Sequence, residues 1–235
     1  GKRIRFLLEP KTFNDIKSEI LEILKPYFEN ILGVYLYGSY ARNEQTAESD
    51  VDILVITSAK LKIIDKIYDY SIISITLDEI ESTLENDSVL ILPIIKEAKS
   101  IINPVLLEKY RQSKFTKKNT KLFIDSCKEI LALNKKGLEL NFEIGSLVYS
   151  LMLRIRGLLM IKLMLNDKLY SKSALFDFLE GKSLTKDKIL ELYKIYSSES
   201  DGIKVKESRI VTKDAIKKLI SIFEEFIRDV KVSLK

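Results

Sequence analysis

Two short motifs near the start of the chain hold residue types suited to metal and phosphate chemistry. Gly38 and Ser39 end one apolar run, and Asp50 and Asp52 open the next one ten residues later. Residues two apart on a strand point to the same face, so both carboxylates are expected to project together. At roughly 5 Å and an effective dielectric near 20, two bare carboxylates repel by about 3 kcal/mol. The pair therefore indicates a bound cation, and with no His in the chain a hard ion held by oxygen, Mg²⁺ (or Mn²⁺), is expected.

Gly38 and Ser39 are suited to holding phosphate. Glycine lets a phosphate group approach the backbone closely, and a serine at the start of a helical turn offers a hydroxyl and backbone N–H groups to phosphate oxygens. Taken singly, Gly-Ser is also typical of a turn and helix cap, and Asp-x-Asp of an exposed strand edge. Because the two motifs occur together at this spacing, a site for phosphate and metal is favoured over a turn and a strand edge.

The composition excludes several other kinds of active site. Among 235 residues there is no His and one Cys, Cys127, which rules out disulfides within the chain, Cys/His zinc sites and Ser-His-Asp triads. At 46% hydrophobic and 31% charged residues, the chain is suited to a globular fold. With one thiol and no signal-peptide pattern, we expect a cytoplasmic location.

The elements that position these residues follow from the apolar pattern, which changes near residues 103–104. Before that point, β-branched runs alternate with helical stretches. We predict strands at residues 34–37, 51–56, 71–76 and 100–102. We predict helices at residues 12–25, 59–68, 77–85 and 89–99, the last of them beginning near Pro93.

After residue 104, apolar residues recur at spacings of three and four, the period of amphipathic helices. We predict helices at residues 117–140, 142–166, 173–180, 185–196 and 212–231. The predicted fold class is therefore α+β, with a small mixed β-sheet domain at residues 1–104 and an all-α helical bundle at residues 105–235.

The two predicted domains carry opposite net charge. The first has 12 Lys and Arg against 17 Asp and Glu, and the second has 27 against 17. A polyanionic partner, attraction between domains of one chain or of a homo-oligomer, and a solvated lysine face all remain open. The apolar residues 146–165 contain Arg154 and Arg156, so we expect a buried helix and no membrane span.

The first of these domains resembles the DNA polymerase β-type nucleotidyltransferase superfamily. The likeness rests on Gly38-Ser39, ten residues, then Asp50-Val51-Asp52, and the run GSYARNE…ESDVDILV most resembles the minimal nucleotidyltransferases of archaea and bacteria. It covers about the first hundred residues. The resemblance implies that Gly38 and Ser39 contact a nucleoside triphosphate (NTP), while Asp50 and Asp52 bind the divalent metal.

Other positions fit the family pattern less completely. Arg42 and Ser49 fit it and are assigned to the nucleotide-binding loop, where they brace rather than react. Asn43 stands where members usually have Gly, a mild departure because Asn tolerates a left-handed backbone. Members commonly present a third acid from the next core strand. That strand, residues 71–76, contains none, so Asp69 just before it is the candidate, with a solvated loop residue as the alternative.

The helical half resembles HEPN-type or substrate-binding helical domains that often accompany minimal nucleotidyltransferases. HEPN ribonucleases use an Arg followed within a few residues by His, and this chain has no His. By that criterion the helical half is not a ribonuclease.

These observations lead to two main hypotheses. The first is an enzyme that moves a nucleoside monophosphate from an NTP to a hydroxyl acceptor, which is a protein, a small molecule or an RNA end. The alternative is a catalytically weak or inactive nucleotide-binding module, antitoxin-like or regulatory, that acts through protein association. A nucleic-acid binder is possible but not favoured, because no recognised reading motif is present.

Overall fold

The computed structural model of the chain describes residues 11–46, 49–200, 202–206, 208 and 210–234. It divides into two compact units. The first consists of Gly1–Glu85 and Ile91–Ser113, and the second of Asn86–Leu90 and Lys114–Lys235.

A five-stranded mixed sheet forms the centre of the first unit. Its strands are β1 (Ile31–Tyr37), β2 (Val51–Thr57), β3 (Lys66–Ile67), β4 (Tyr70–Thr76) and β5 (Lys99–Ile102). The spatial order is β3-β4-β2-β1-β5, with β2 and β4 parallel and the other neighbours antiparallel. The central strands are rich in Val, Ile and Leu, which suit a sheet buried on both faces.

Helices surround this sheet. They are α1 (Phe13–Leu24), α2 (Gly38–Arg42), α3 (Leu77–Asn86), α4 (Ile91–Glu97) and α5 (Pro104–Arg111), and a 3₁₀ helix at Lys25–Asn30 follows α1. A capping box begins α1, because Thr12 and Asp15 each bind the other's backbone N–H. Ile16, Ile20 and Leu24 recur on one face of α1 and are buried in the same core as residues of the sheet.

Most of the predicted elements of the first half are confirmed, and one is wrong. Every predicted strand lies within an observed one, but residues 59–68, predicted as a helix, form bends, a turn and β3. The apolar residues there do not share a helix face, since Ile63 is buried in the core while Ile64 is 60% exposed. Lys66 and Ile67 instead pair with β4, and Tyr68 turns the chain with a φ of 55°.

The described part of the second unit contains helices and no strand. They are α6 (Lys121–Glu139), α7 (Ile144–Met164), α8 (Lys172–Gly181), α9 (Lys186–Ser200) and α10 (Lys213–Ser233). These match the five helices predicted from the apolar period. The predicted fold class, α+β with a mixed sheet followed by helices, is confirmed.

Helix α7 carries apolar residues on most of its circumference. Ten of its 21 residues are buried in the structure. Among the described residues it is the one helix long and apolar enough to cross a membrane, and a buried core helix has the same length and composition. Its packing against α6, α9 and α10 explains its apolar surface.

The boundary between the units differs from the predicted one at residues 104/105. Helix α5 belongs to the first unit, where Leu107 and Tyr110 are buried. The Tyr110 hydroxyl donates to Glu81, and the Tyr35 hydroxyl donates to the carbonyl of Asn103. These contacts hold α5 and the residue before it to α3 and β1, so the boundary lies at about residue 113.

Candidate active site

The start of β2 positions the two predicted carboxylates. Val51 and Ile53 are fully buried in the core, so the alternation along the strand places Asp50 and Asp52 on the opposite face. Asp52 lies in register with Tyr37 on β1 and with Ser71 on β4. The β-branched residues that follow bury β2 in the middle of the sheet. The position of the strand determines where Asp50 and Asp52 lie.

Gly38 brings α2 directly against Asp52. It follows β1 with a φ of +75°, and a Cβ added there would lie 2.1 Å from Asp52 Oδ2. Any other residue would be strained and would collide with the carboxylate, so both the backbone conformation and the close approach require glycine. The structure thus joins the Gly-Ser motif to the Asp-x-Asp motif by contact.

Ser39 and Asn43 shape the two ends of the short helix. Ser39 is partly buried, and within the described ranges its hydroxyl has no hydrogen-bond partner. Asn43 ends α2 with a φ of 57°, and its N–H donates to the Ser39 carbonyl. The expected left-handed conformation of Asn43 is therefore confirmed, and no described residue occupies the Ser39 hydroxyl.

Arg42 and Ser49 are both held by hydrogen bonds. Arg42 forms ion pairs of 2.8 Å with Glu44 and with Glu97. Burial opposes the charge of Arg42, but the hydrogen bonds and charges of these two glutamates raise its pKa overall. The Ser49 hydroxyl accepts from the N–H of Thr46 at 2.9 Å. In this geometry both side chains hold the chain that follows α2 in place.

Glu97 is a carboxylate of the site that the sequence does not single out. Its side chain, 10% exposed, accepts from the Gly38 N–H at 2.8 Å and from Arg42 at 2.8 Å. Burial first, and then the charges of Asp52 and Glu97, raise the pKa of Tyr37. Glu97 lies 45 residues after Asp52 and ends α4, so no local spacing signals its role.

Asp69, the candidate third acid, lies next to the start of β2, and its side chain has a partner of its own. Its carbonyl accepts from the Val51 N–H at 2.7 Å, which places it beside Asp50 at the start of the strands. Its carboxylate, however, forms an ion pair of 3.1 Å with Lys11, which also binds Glu19. The described residues contain no group of three or more His, Cys, Asp or Glu able to hold a metal ion, so the structure does not join Asp69 to the other two acids.

Asp50 and Asp52 nevertheless suit a magnesium or manganese ion. Mg²⁺ is usually bound through one or two carboxylates together with substrate phosphates and water. Lys66 lies 2.8 Å from Asp50, and its side chain is 62% exposed. An exposed ion pair of this kind is worth about 1 kcal/mol or less, so a divalent ion competes readily with Lys66 for Asp50.

Comparison with known proteins supports the nucleotidyltransferase superfamily for this unit. Residues 18–108 match the family described as polymerase beta, nucleotidyltransferase. Two putative protein adenylyltransferases of Methanocaldococcus jannaschii are 46% identical over 48 residues and 51% identical over 49 residues. Each match covers 19% of this chain, and 48% and 47% of the respective relatives. The chain thus spans about half the length of the curated relatives it matches.

A likeness of fold extends over more of the chain. The crystal structure of a spectinomycin adenyltransferase from Enterococcus faecialis, with ATP and spectinomycin, aligns with a TM-score of 0.54. The alignment covers 92% of this chain and 99% of that one at 17% sequence identity. At this identity the likeness shows the fold alone, and substrates must be argued from the site.

Proposed function

We propose that the chain transfers a nucleoside monophosphate from an NTP to a hydroxyl acceptor. The observation that carries this proposal is the contact between Gly38 and Asp52, with the Cβ position of Gly38 only 2.1 Å from Asp52 Oδ2. In this arrangement the Gly38 turn would bind the phosphates of the same triphosphate whose metal ion Asp52 would hold. The superfamily match over residues 18–108 supports the same activity.

The residues of the site divide this work among them. Asp50 and Asp52 would hold Mg²⁺ or Mn²⁺, which stabilises the charge that develops on the phosphoryl oxygens. Ser39 would donate its hydroxyl to a phosphate oxygen, because no described residue uses it. Glu97 and Arg42 would act as positioning residues, since Glu97 accepts from the Gly38 N–H and pairs with Arg42.

The reaction is an in-line displacement at the α-phosphorus. The acceptor oxygen forms a bond to phosphorus, the bond to the β-phosphate bridge breaks, and pyrophosphate leaves with its electron pair. The acceptor proton passes to solvent or to a carboxylate of the site. Catalysis in this scheme rests on positioning and on electrostatic stabilisation.

We propose ATP as the donor and an acceptor that is either a protein or a small hydroxylated molecule. The relatives from Methanocaldococcus jannaschii are named as putative protein adenylyltransferases, and the Enterococcus faecialis protein was solved with ATP and spectinomycin. For the second unit we propose a HEPN-like or substrate-binding role, and for the chain a cytoplasmic location.

The second candidate function is nucleotide binding without turnover, as an antitoxin-like or regulatory module. One observation favours it. The carboxylate of Asp69 is paired with Lys11, and no group of three acids forms in the described ranges. A site with two metal-binding carboxylates can hold a metal–triphosphate complex without providing a base for the acceptor.

The test is to incubate the protein with each α-labelled NTP and Mg²⁺ or Mn²⁺, and to measure pyrophosphate release, transferred label and NTP affinity. The informative variant is Asp52→Asn, and Asp78→Asn is its matched control, because Asp78 is an exposed acid of α3 in the same unit. Metal-dependent transfer that is lost in Asp52→Asn and kept in Asp78→Asn supports the enzyme.

Two other results separate the alternatives. Metal-dependent NTP binding without pyrophosphate release, across protein and small-molecule acceptors, favours the non-catalytic module. NTP binding that is equal in Asp52→Asn and the parent protein contradicts the site itself.

A further inference from the structure

A cavity of about 360 Å³ lies where the beginning of α6 meets the end of α10. We call it the α6–α10 cavity. Three lysines line it, Lys117, Lys121 and Lys231, together with the apolar side chains of Ile124 and Leu234. All of these residues belong to the second unit, and none belongs to the candidate active site. Small-molecule sites occupy about 300–1,000 Å³, so the cavity has room for a small ligand.

The lining of the cavity carries more positive than negative charge. Among the described residues that line it, Asp125 is the one acid, and this acid already forms ion pairs with Lys121 and with Lys128. In the described part of the chain, Lys117 and Lys231 form no ion pair. A concave surface with an excess of one charge concentrates ions of the opposite charge, so the cavity favours an anionic ligand.

Lys231 also lies against another cation. Its side chain is in hydrogen-bond contact with that of Lys128, between α10 and α6. Burial first, and then the contact with Lys128 and its charge, lower the pKa of Lys231, while Asp125 opposes this effect. Two amines held this close repel each other when both are protonated, and an anion bound beside them offsets that repulsion.

The apolar part of the lining indicates what else the ligand carries. The Lys121 side chain is 73% exposed, and water screens charges at such positions, so each ion pair contributes little affinity. A bare anion would therefore bind weakly. Ile124 and Leu234 form an apolar wall together with the aliphatic parts of the lysine side chains. Contact with this wall adds affinity for a ligand that has an apolar group of its own.

We propose that the α6–α10 cavity binds a small amphiphilic anion, a carboxylate or phosphate attached to a short apolar chain. The oxyanion lies between Lys121 and Lys231, near Lys117, and the apolar chain lies against Ile124 and Leu234. This site is additional to the proposed nucleotidyl transfer and does not depend on it.

The test is a calorimetric titration of the full chain in metal-free buffer at constant ionic strength. The four probes are hexanoate, hexyl phosphate, hexanol and inorganic phosphate. At least one of the two amphiphilic anions is expected to bind about tenfold more tightly than hexanol, which lacks the charge, and than inorganic phosphate, which lacks the chain. The tighter of the two anions identifies the oxyanion. If neither binds more tightly than hexanol and inorganic phosphate, the proposal is overturned.

Lysine variants locate the binding. Lys121→Gln and Lys231→Gln should each weaken the amphiphilic anion by about threefold, and the double variant by about tenfold, as for partly screened charges. Lys135→Gln is the matched control, because Lys135 is also on α6 but pairs with Glu224 and does not line the cavity. It should keep the parent affinity. The proposal is overturned if the double variant binds as tightly as the parent, or if Lys135→Gln loses as much affinity as Lys121→Gln.

Two further variants separate the parts of the proposal. Leu234→Ala should weaken hexyl phosphate or hexanoate by about threefold and leave inorganic phosphate unchanged, and unchanged affinity for both amphiphilic anions contradicts the apolar wall. Ser39→Ala distinguishes this site from the candidate active site, and it should leave the affinity for the amphiphilic anion unchanged whether or not the chain transfers nucleotides. Binding that is lost in Ser39→Ala and kept in the double lysine variant overturns the proposal.

Discussion

Replacing Gly38 by alanine tests the central contact of the candidate active site. Gly38 has a φ of +75°, and the new Cβ would lie 2.1 Å from Asp52 Oδ2. The left-handed conformation costs a non-glycine residue about 1–2 kcal/mol. Moving the Asp52 side chain away from its rotamer adds about 1 kcal/mol. Gly38→Ala is therefore expected to lower the free energy of unfolding by about 2–3 kcal/mol.

The effect on function is expected to exceed the effect on stability. Displacing a catalytic or metal-binding carboxylate by about 1 Å lowers the reaction rate by on the order of 100-fold. We expect NTP binding and any transfer to fall together, measured by titration and by pyrophosphate release at a temperature where the variant is folded. Gly181→Ala is the matched control, because its Cβ meets nothing within 4 Å. It ends α8, and no loss of stability is expected there.

A double-mutant cycle isolates the contact itself. In an Asp52→Ala background the carboxylate is absent, so Gly38→Ala should cost only the backbone strain of about 1–2 kcal/mol. The two substitutions should then be non-additive by about 1 kcal/mol, measured by denaturant unfolding. Additivity within about 0.5 kcal/mol, or a Gly38→Ala variant as stable as Gly181→Ala, would refute the reasoning.

Three further predictions concern single side chains. Glu97→Gln keeps an acceptor for the backbone of Gly38 but removes the charge that faces Arg42, in a pair that is 10% and 19% exposed. It should cost about 2 kcal/mol in urea unfolding, and a change below about 0.5 kcal/mol would contradict the positioning role. Burial raises the pKa of the Cys127 thiol from 9.0 to about 12. The unfolded thiol ionises first, so this contribution to stability is complete below about pH 9 and is lost toward pH 12. Calorimetry of Cys127→Ala should show a smaller fall of Tm above pH 9, and an equal fall would count against the shift. Asn103 caps α5 at a φ of 61° and also donates to the Leu32 carbonyl, and both variants lose these bonds, so Asn103→Ala should cost about 1–2 kcal/mol more than Asn103→Gly, by chemical denaturation. Equal losses would show that backbone conformation is not the cause.

Much of the first unit could be predicted because its signals are local. The β-branched runs of β1, β2 and β4 alternate with turns, and their strand positions are confirmed. The adjacency of Gly38 and Asp52 also follows locally, since β1 and β2 are consecutive antiparallel strands. The helix predicted at residues 59–68 was wrong because its apolar residues fit more than one period, and pairing with β4 decided between them.

What lay beyond prediction depends on contacts between distant parts of the chain. Asp69 meets Lys11 across 58 residues, and Glu97 meets Gly38 across 59 residues. Neither partner is marked by spacing, and a charged residue at the end of a helix is ordinarily solvated. Arg156 was visible as a basic residue in an apolar stretch, but its contacts with Tyr170 and Tyr196 are visible only in the packed structure.

By itself, the sequence determined the fold class, the positions of four of the five strands and of most helices, and the two motifs that meet at the candidate site. These depend on residue type and short-range period, which act within a few positions of the chain. The tertiary structure alone decided which charges are paired, that α5 belongs with the sheet, and that Glu97 holds the Gly38 turn. Pairing and burial are properties of the packed chain, because they depend on what other elements bring within a few ångströms of each group.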